Sequence, residues 1–402
     1  MIKKIEDYEW FCPQPFVNIY RGVTGHTSPC CVIKNWYVPT KKLKENTSVH
    51  EDYSSALFES LRQEFLNSGS GPLIDSCCTI CKKNEFAGKS SHRIQYMDRF
   101  INGDLQDRKE ELELYLDTDR SEPLIMSMEY KVQDNYCNLK CNMCRSINSS
   151  TLAAENIVLE KSGYTLPPTH ELPVAFKNKS HYKRKESFDD IDHILKTLSN
   201  LQLVGGETLA IPKNYELLNH IIELGVSSNI NLHIITNGTI IPKIEGMTIL
   251  DYIPYFKRVD FNVSIEFWGE KNDYLRYGSN WSDIITNVSK FKEHGAYYRW
   301  SPTVNALNIG YLNELPNYEN LTALNGIVDD SEIYSIKSVP PEIKELYLTK
   351  NNFEKIDNLL KNTVWDENKM KSMLLDVSMR DKLRGTCLTD VFPEWKPYYE
   401  KL

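Results

Sequence analysis

The feature that most constrains this chain is an alternation of strand and helix patterns between residues 124 and 307. Short runs rich in β-branched and aromatic residues are separated by amphipathic helical patterns. This rhythm predicts βα units and a parallel sheet. Five or six units are present, too few for a closed eight-fold barrel, so we predict an α/β fold built on a partial (β/α)6 TIM-like barrel. The predicted strands are 124–132, 200–209, 231–240, 258–267 and 297–307.

The flanking segments differ from this core in composition. Residues 1–100 hold six of the ten cysteines, with Pro and Gly turns and little helical pattern outside 54–69. We expect a small cysteine-rich α+β domain there. Residues 101–123 are charged and end in proline, which is typical of a connector. The barrel core is predicted over 124–335, and helical patterns fill a C-terminal extension over 336–402.

Charge and hydropathy narrow the class of protein. A net charge of -8 and an isoelectric point near 5.7 argue against a nucleic-acid binder, which needs a basic surface. The N-terminal stretch lacks the apolar core of a signal peptide, and no run reaches the ~18 apolar residues of a membrane span. We therefore expect a cytoplasmic protein with no membrane partner. Thiols stay reduced there, so ten cysteines indicate metal or cluster binding rather than disulfides.

Three cysteines are crowded into the stretch DNYCNLKCNMCRS, after the first predicted core strand. Cys137, Cys141 and Cys144 are separated by three residues and then two, and the next histidine is His170. Thiolates bind zinc or iron–sulfur clusters. Structural zinc normally takes four protein ligands. A [4Fe–4S] cluster held by three thiolates has one iron open to an outside ligand. A zinc knuckle is the alternative site for this stretch.

The spacing C-x3-C-x2-C after a first strand resembles that of the radical SAM superfamily. This resemblance implies a [4Fe–4S] cluster on Cys137, Cys141 and Cys144, with S-adenosyl-L-methionine bound at the open iron. In that family an electron from the cluster cleaves the cofactor, and the resulting 5′-deoxyadenosyl radical abstracts hydrogen from a substrate. The matching motifs follow in the family's order over residues 124–310.

The same resemblance implies a set of cofactor contacts. The GGE motif at 205–207 matches the motif that holds the methionyl amino group, because glycines allow close approach and a carboxylate accepts hydrogen bonds from an ammonium group. Arg276 matches a position that binds the methionyl carboxylate, with a helix-surface arginine as the alternative. For TNG at 236–238 the alternative is a plain turn. The predicted cofactor-binding residues are Met143, Gly205, Gly206, Glu207, Asn237, Ser264, Glu266, Arg276 and Asn305.

A second cysteine set resembles the twitch domain, the short form of the SPASM domain of radical SAM enzymes. The pattern is C-x12-G-x4-C, with Gly25 as its glycine, followed later by C-x2-C. In most of the family this module follows the barrel, whereas here it precedes it. Zinc is the alternative metal, and the neighbouring Cys31 and Cys77 leave the choice of ligand open. The resemblance implies one auxiliary [4Fe–4S] cluster, whose predicted ligands are Cys12, Cys30, Cys78 and Cys81.

Two classes of function compete. The first is a radical SAM enzyme that modifies a peptide or protein side chain, with a small molecule such as a sugar or nucleotide as the alternative substrate. Either reaction takes electrons from an external donor such as a flavodoxin or ferredoxin. The second class is a non-enzymatic zinc or iron–sulfur scaffold protein. A scaffold explains the cysteines, but it does not explain the GGE motif or the order of the barrel motifs.

Overall fold

The computed structural model describes residues 3–22, 27–34, 36, 49–86, 88, 90–120, 122–131, 135–167, 170–171, 188, 191–314, 327–328, 332–350 and 354–401. Gly25 of the predicted auxiliary motif lies outside these residues. The chain divides into two compact units. Unit 1 comprises Met1–Asp134, Lys183–Ile234 and Asp251–Asp260, and unit 2 comprises Asn135–Tyr182, Ile235–Leu250 and Phe261–Leu402.

The secondary structure of the described residues is mixed. The strands are β1 Asn18–Arg21, β2 Thr27–Ser28, β3 Ser127–Lys131, β4 Lys140–Cys141, β5 Asn200–Val204, β6 Asn231–Thr236, β7 Arg258–Ile265, β8 Arg276–Tyr277 and β9 Tyr297–Pro302. The helices are α1 Gln14–Val17, α2 Val49–Tyr53, α3 Ala56–Asn67, α4 Pro72–Cys77, α5 Thr79–Phe86, α6 His92–Ile101, α7 Lys109–Leu116, α8 Ser150–Lys161, α9 Asp192–Thr197, α10 Pro212–Glu223, α11 Gly269–Leu275, α12 Trp281–Glu293, α13 Pro341–Lys350, α14 Glu354–Asn362, α15 Glu367–Arg384, α16 Leu388–Val391 and α17 Lys396–Tyr399.

The main sheet has the strand order β2-β1-β3-β5-β6-β7-β9. Strands β1 and β3, β3 and β5, and β5 and β6 pair in parallel, and β2 pairs antiparallel with β1. From β3 to β9 the order in the sheet follows the order in the chain, as expected for βα units. Beyond β9, a parallel bridge joins Val304 and Ile327. The predicted α/β fold with a partial barrel sheet and a helical C-terminal extension is therefore confirmed.

The two faces of the sheet in unit 1 differ in polarity. Met128, Leu201 and Leu232 occupy one row across β3, β5 and β6, and none is more than 1% exposed. The next row carries Glu129 and Gln202, which are half-buried. Successive side chains of a strand point to opposite faces. One face of the sheet is therefore packed in the core, and the other presents polar groups.

Helix α3 confirms the amphipathic helix predicted over 54–69. The hydroxyl of Ser55 accepts a hydrogen bond from the N–H of Phe58 and caps the helix, which then buries Phe58 and Phe65. Gly69 follows with φ +63°, a conformation that favours glycine. The expectation of little other helix in residues 1–100 was wrong, because α2, α4, α5 and α6 also form there. Helix α5 buries only Cys81, so it lacks a clear apolar period.

Strand β1 extends the sheet from within the cysteine-rich segment. It pairs with β3 from Asn18 opposite Ser127 to Arg21 opposite Tyr130. Residues of the predicted N-terminal domain therefore take part in the main sheet of unit 1. The predicted boundaries at residues 100, 123 and 335 stay a prediction. Among the described helices, none combines the length and the apolar character needed to cross a membrane.

Candidate functional site

The three clustered cysteines lie on one loop of unit 2, residues 137–144, which we call the cysteine loop. Cys137 and Cys141 are 7% and 6% exposed, and Cys144 is half-buried beside them. The backbone N–H of Leu139 donates to Sγ of Cys137 at 3.5 Å, and the N–H of Cys144 donates to the carbonyl of Cys141 at 3.1 Å. The loop is thus a tight turn that gathers the three thiols.

The first turn of helix α8 holds this loop in place. The hydroxyls of Ser149 and Thr151 donate to the carbonyl of Leu139 at 2.7 Å and 2.8 Å. The hydroxyl of Ser150 accepts from the N–H of Cys137 at 3.3 Å, and Ser149 also caps the helix by accepting from the N–H of Leu152. Because these hydroxyls belong to a helix start, the loop conformation is coupled to a regular element.

Arg276 lies directly opposite the cysteine loop. Strands β4 and β8 pair antiparallel, with Cys141 facing Arg276. The Arg276 side chain is 11% exposed, and its Nη1 donates to Oε1 of Glu266 at 3.1 Å. Its Nε is buried and has no hydrogen-bond partner in the described part of the chain. The alternative of a helix-surface arginine is wrong, because the residue begins strand β8 and its side chain is only 11% exposed.

The charges of this group follow from burial and proximity. Burial raises the pKa of Cys141 to about 12, although the Arg276 guanidinium opposes this shift. Burial also raises the pKa of Glu266 to about 8, against the pull of Arg276. Burial lowers the pKa of Arg276, but Cys141 and Glu266 raise it more, so it stays above its ordinary value. A permanent cation with a free N–H therefore lies beside the thiols, an arrangement suited to an anionic group.

A pair of asparagines fixes the carboxylate of Glu266. Nδ2 of Asn305 donates to Oε2 of Glu266 at 3.3 Å, and Nδ2 of Asn308 donates to the same oxygen at 3.4 Å and to the backbone carbonyl of Glu266 at 3.0 Å. The side chain of Asn272 accepts from the Glu266 N–H at 3.0 Å. Asn305 was a predicted site residue, whereas Asn308 was missed. In the sequence, Asn308 is indicated by its position three residues after Asn305 in the motif TVNALN.

The TNG motif is tied to the cysteine loop by side chains. Nδ2 of Asn237 donates to Oδ1 of Asn138, and Nδ2 of Asn138 donates to Oγ1 of Thr239, both at 2.9 Å. Gly238 has φ +72°, and a Cβ atom there would lie 2.9 Å from Val263 Cγ1. The motif is therefore more than a plain turn. Asn138 was not predicted from the sequence, although its position between Cys137 and Cys141 indicates a place in the site.

Two further predicted residues lie in the same unit. Met143 packs against the cysteines of the loop. Ser264 is half-buried on β7, two residues before Glu266, so the two side chains lie on the same side of the chain. Cofactor contacts of either residue stay a prediction.

The GGE motif follows strand β5 in unit 1. Glu207 is fully buried, and its Oε1 accepts from the N–H of Leu209 at 3.0 Å. A Cβ atom on Gly205 would lie 3.1 Å from Ile211 Cδ1, so this position favours glycine on packing grounds. Contact of Gly205, Gly206 and Glu207 with a cofactor stays a prediction.

The second cysteine set lines a small pocket in unit 1, called the cavity below. The wall includes Trp10 and Phe65 together with five thiols, those of Cys12, Cys30, Cys77, Cys78 and Cys81. Burial raises the pKa of Cys30 to about 12, and burial together with Cys78 and Cys30 raises that of Cys12 further. The predicted ligands are thus gathered in one place.

The structure separates the members of one cysteine doublet. Cys30 lines the cavity, whereas Cys31 lies near Glu129, and burial together with this carboxylate raises the pKa of the Cys31 thiol. Cys77 also lines the cavity, with its Sγ 3.5 Å from Oγ of Ser76, so the choice between Cys77 and Cys78 stays open. In the described ranges, no group of three or more His, Cys, Asp or Glu side chains is placed to hold a metal ion.

Comparisons with known proteins give structural likenesses. No family model and no curated protein matches the chain. Native anSMEcpe with bound AdoMet aligns at TM-score 0.36 and 14% identity, over 65% of this chain and 62% of that chain. Streptococcus suis SuiB bound to precursor peptide SuiA aligns at TM-score 0.33 and 14% identity, over 76% and 66%. SuiB bound to S-adenosylmethionine aligns at TM-score 0.30 and 15% identity, over 68% and 60%. The chain thus spans less than two thirds of the length of these solved structures.

Proposed function

We propose that this protein is a radical SAM enzyme. The observation that carries the proposal is a cluster of three thiols beside a cationic side chain. The cysteine loop offers three thiols, and the Arg276 guanidinium opposite Cys141 has a buried Nε with no partner in the described residues. A closed structural zinc site takes four protein ligands. Three thiols with a neighbouring cation instead suit a cluster with one open iron and a ligand that carries a carboxylate.

We propose that residues of unit 2 hold that cofactor pair. Cys137, Cys141 and Cys144 would hold a [4Fe–4S] cluster, and Arg276 would bind the methionyl carboxylate of S-adenosylmethionine. When bound, the cluster supplies the electron that cleaves S-adenosylmethionine, and the resulting 5′-deoxyadenosyl radical removes hydrogen from a substrate. Glu266 has two roles here: it holds Arg276 in position, and its carboxylate is proposed to face the ribose together with Ser264. The asparagines at 305 and 308 both donate to that carboxylate and keep it in place.

Unit 1 is proposed to hold one auxiliary [4Fe–4S] cluster. The ligands would be Cys12, Cys30, Cys78 and Cys81, which line one cavity. Cys77 lines it too, so the preference for Cys78 rests on its C-x2-C spacing to Cys81. Four protein thiolates close the coordination, which suits electron transfer or structural support rather than direct substrate binding.

For the substrate we propose a peptide or protein side chain, with an external flavodoxin or ferredoxin as electron donor. This preference rests on the resemblance of the second cysteine set to the twitch domain. A sugar or nucleotide is the alternative. The genes next to this one test the choice, because a short precursor-peptide gene supports the first and a sugar or nucleotide pathway supports the second.

Anaerobic reconstitution tests the activity. We expect about eight irons per chain and formation of 5′-deoxyadenosine after reduction with dithionite. Replacing Cys137, Cys141 and Cys144 together with alanine should abolish that product and leave roughly half of the iron. Replacing Cys12, Cys30, Cys78 and Cys81 should also remove roughly half of the iron, with cleavage at least partly retained.

Cys387→Ala is the matched control, because this cysteine belongs to neither set and contacts Thr389. It should keep both the iron and the product. Stoichiometric zinc without iron after reconstitution would refute the proposal and favour a scaffold protein. Formation of 5′-deoxyadenosine by the triple variant of the cysteine loop would refute the ligand assignment.

A further inference from the structure

Arg384, the last residue of helix α15, holds the cysteine loop from the C-terminal helices. Its Nη2 donates to the carbonyl of Lys140 at 2.8 Å, and its Nη1 donates to Oδ1 of Asn142. These two residues flank Cys141. The Arg384 side chain is 3% exposed, so these contacts are made away from water.

The strand paired with the loop is held by the same residue. The Arg384 guanidinium carbon lies 4.7 Å from the ring centroid of Tyr277, and the Tyr277 hydroxyl donates to the Arg384 carbonyl at 3.2 Å. Tyr277 in turn pairs with Lys140 between β8 and β4. Arg384 therefore contacts both strands of this small sheet.

A fully buried carboxylate fixes the guanidinium itself. Oε1 of Glu155 accepts from Nη2 of Arg384 at 2.7 Å, and Oε2 accepts from its Nε at 3.1 Å. Oε1 also accepts from Nη1 of Arg380 at 2.7 Å. Glu155 lies on α8, the helix whose first turn holds the loop. With Nε, Nη1 and Nη2 all donating, the Arg384 fork has one orientation.

We propose that Arg384 is a positioning residue for the cysteine loop, fixing the chain on both sides of Cys141 and placing a permanent positive charge beside the cluster. This inference rests on the proposed function. A fixed cation favours the reduced, more negative state of a cluster, so it raises the reduction potential. The planar fork reaches three acceptors at once, which the single ammonium of lysine does not.

The test compares Arg384→Gln and Arg384→Lys with Lys382→Gln. Lys382 is exposed in the same last turn of α15, so its variant removes one positive charge without touching the loop. In metal-free protein, we expect hydrogen exchange of residues 138–146 to speed up roughly tenfold in both Arg384 variants, the effect of one lost charge-assisted hydrogen bond. After anaerobic reconstitution, Arg384→Gln should retain less iron and titrate at a more negative midpoint potential. Arg384→Lys should keep the wild-type potential.

Equal exchange and equal potential in Arg384→Gln and Lys382→Gln would overturn the inference. Far-UV circular dichroism checks whether each variant folds. If Arg384→Gln does not fold, Arg384→Lys decides the question. Fast exchange with an unchanged potential in Arg384→Lys supports the inference, whereas exchange at the wild-type rate overturns it. A wild-type protein that binds no iron refutes the proposed function, while the exchange experiment still decides whether Arg384 orders the loop. A wild-type enzyme that cleaves S-adenosylmethionine but shows no Arg384 effect refutes this inference alone.

Discussion

Replacing Arg276 with glutamine tests the electrostatic core of the proposed site. The change removes a buried cation that pairs with Glu266 at 3.1 Å and faces Cys141 across the β4–β8 pair. If its unpartnered Nε binds the cofactor carboxylate, the variant loses a hydrogen bond between charged groups. Such a bond contributes ~1.5–3 kcal/mol. Since ~1.4 kcal/mol is a factor of ten, the Kd for S-adenosylmethionine should rise roughly 10- to 100-fold.

Calorimetry or equilibrium dialysis on anaerobically reconstituted protein measures this effect directly. The iron content should be unchanged, because Arg276 is not a proposed ligand. Arg258→Gln is the matched control, since that arginine lies half-exposed at the start of β7 and pairs with Asp260. An Arg276→Gln variant that retains its iron and binds S-adenosylmethionine as tightly as the control would refute the assignment of the anion site.

Two remaining predictions concern stability. Gly238→Ala and Gly295→Ala both place a side chain at positive φ, but only Gly238 also meets a neighbour, Val263 Cγ1 at 2.9 Å. Urea unfolding should show a loss of about 1–2 kcal/mol for Gly295→Ala and a larger loss for Gly238→Ala, and equal losses would contradict the packing argument. Asp376→Asn breaks a buried pair with Arg380 at 2.8 Å, so it should cost about 3–5 kcal/mol at neutral pH. Burial alone would raise the Asp376 pKa, but Arg380 holds it well below its usual range. The stability that this pair contributes is therefore present above the usual aspartate pKa and is lost as the pH falls below about 4, so wild type and variant should converge in acid.

The elements with regular apolar patterns could be predicted from the sequence. Strands β3, β5 and β6 alternate buried and polar residues, and α3 carries both a serine cap and a glycine stop. The site residues within short motifs could be proposed too, because Cys137, Cys141 and Cys144 are defined by spacing alone. The residues of each motif lie close together in the chain, so the motif can be recognised from the sequence.

Contacts between distant segments could not be predicted in this way. Arg384 meets Lys140 and Glu155 across more than two hundred residues, and nothing near it in the chain marks that role. The same limit applies to Cys30 and Cys31, which only three-dimensional placement separates, since one lines the cavity and the other lies near Glu129. Short polar helices such as α5 were not predicted, because they bury too little apolar surface to produce a helical periodicity in the sequence.

The parallel pairing of β1 with β3 has a consequence for how the chain is made. Asn18 finds its partner Ser127 only after more than one hundred further residues have been synthesised. During that interval β1 has no sheet to join, so the cysteine-rich segment cannot complete its fold on the ribosome ahead of the barrel. In a truncated chain that starts after residue 100, strand β1 is missing and the edge of β3 is left unpaired. Such an unpaired edge promotes association between chains, so we expect the truncated chain to aggregate.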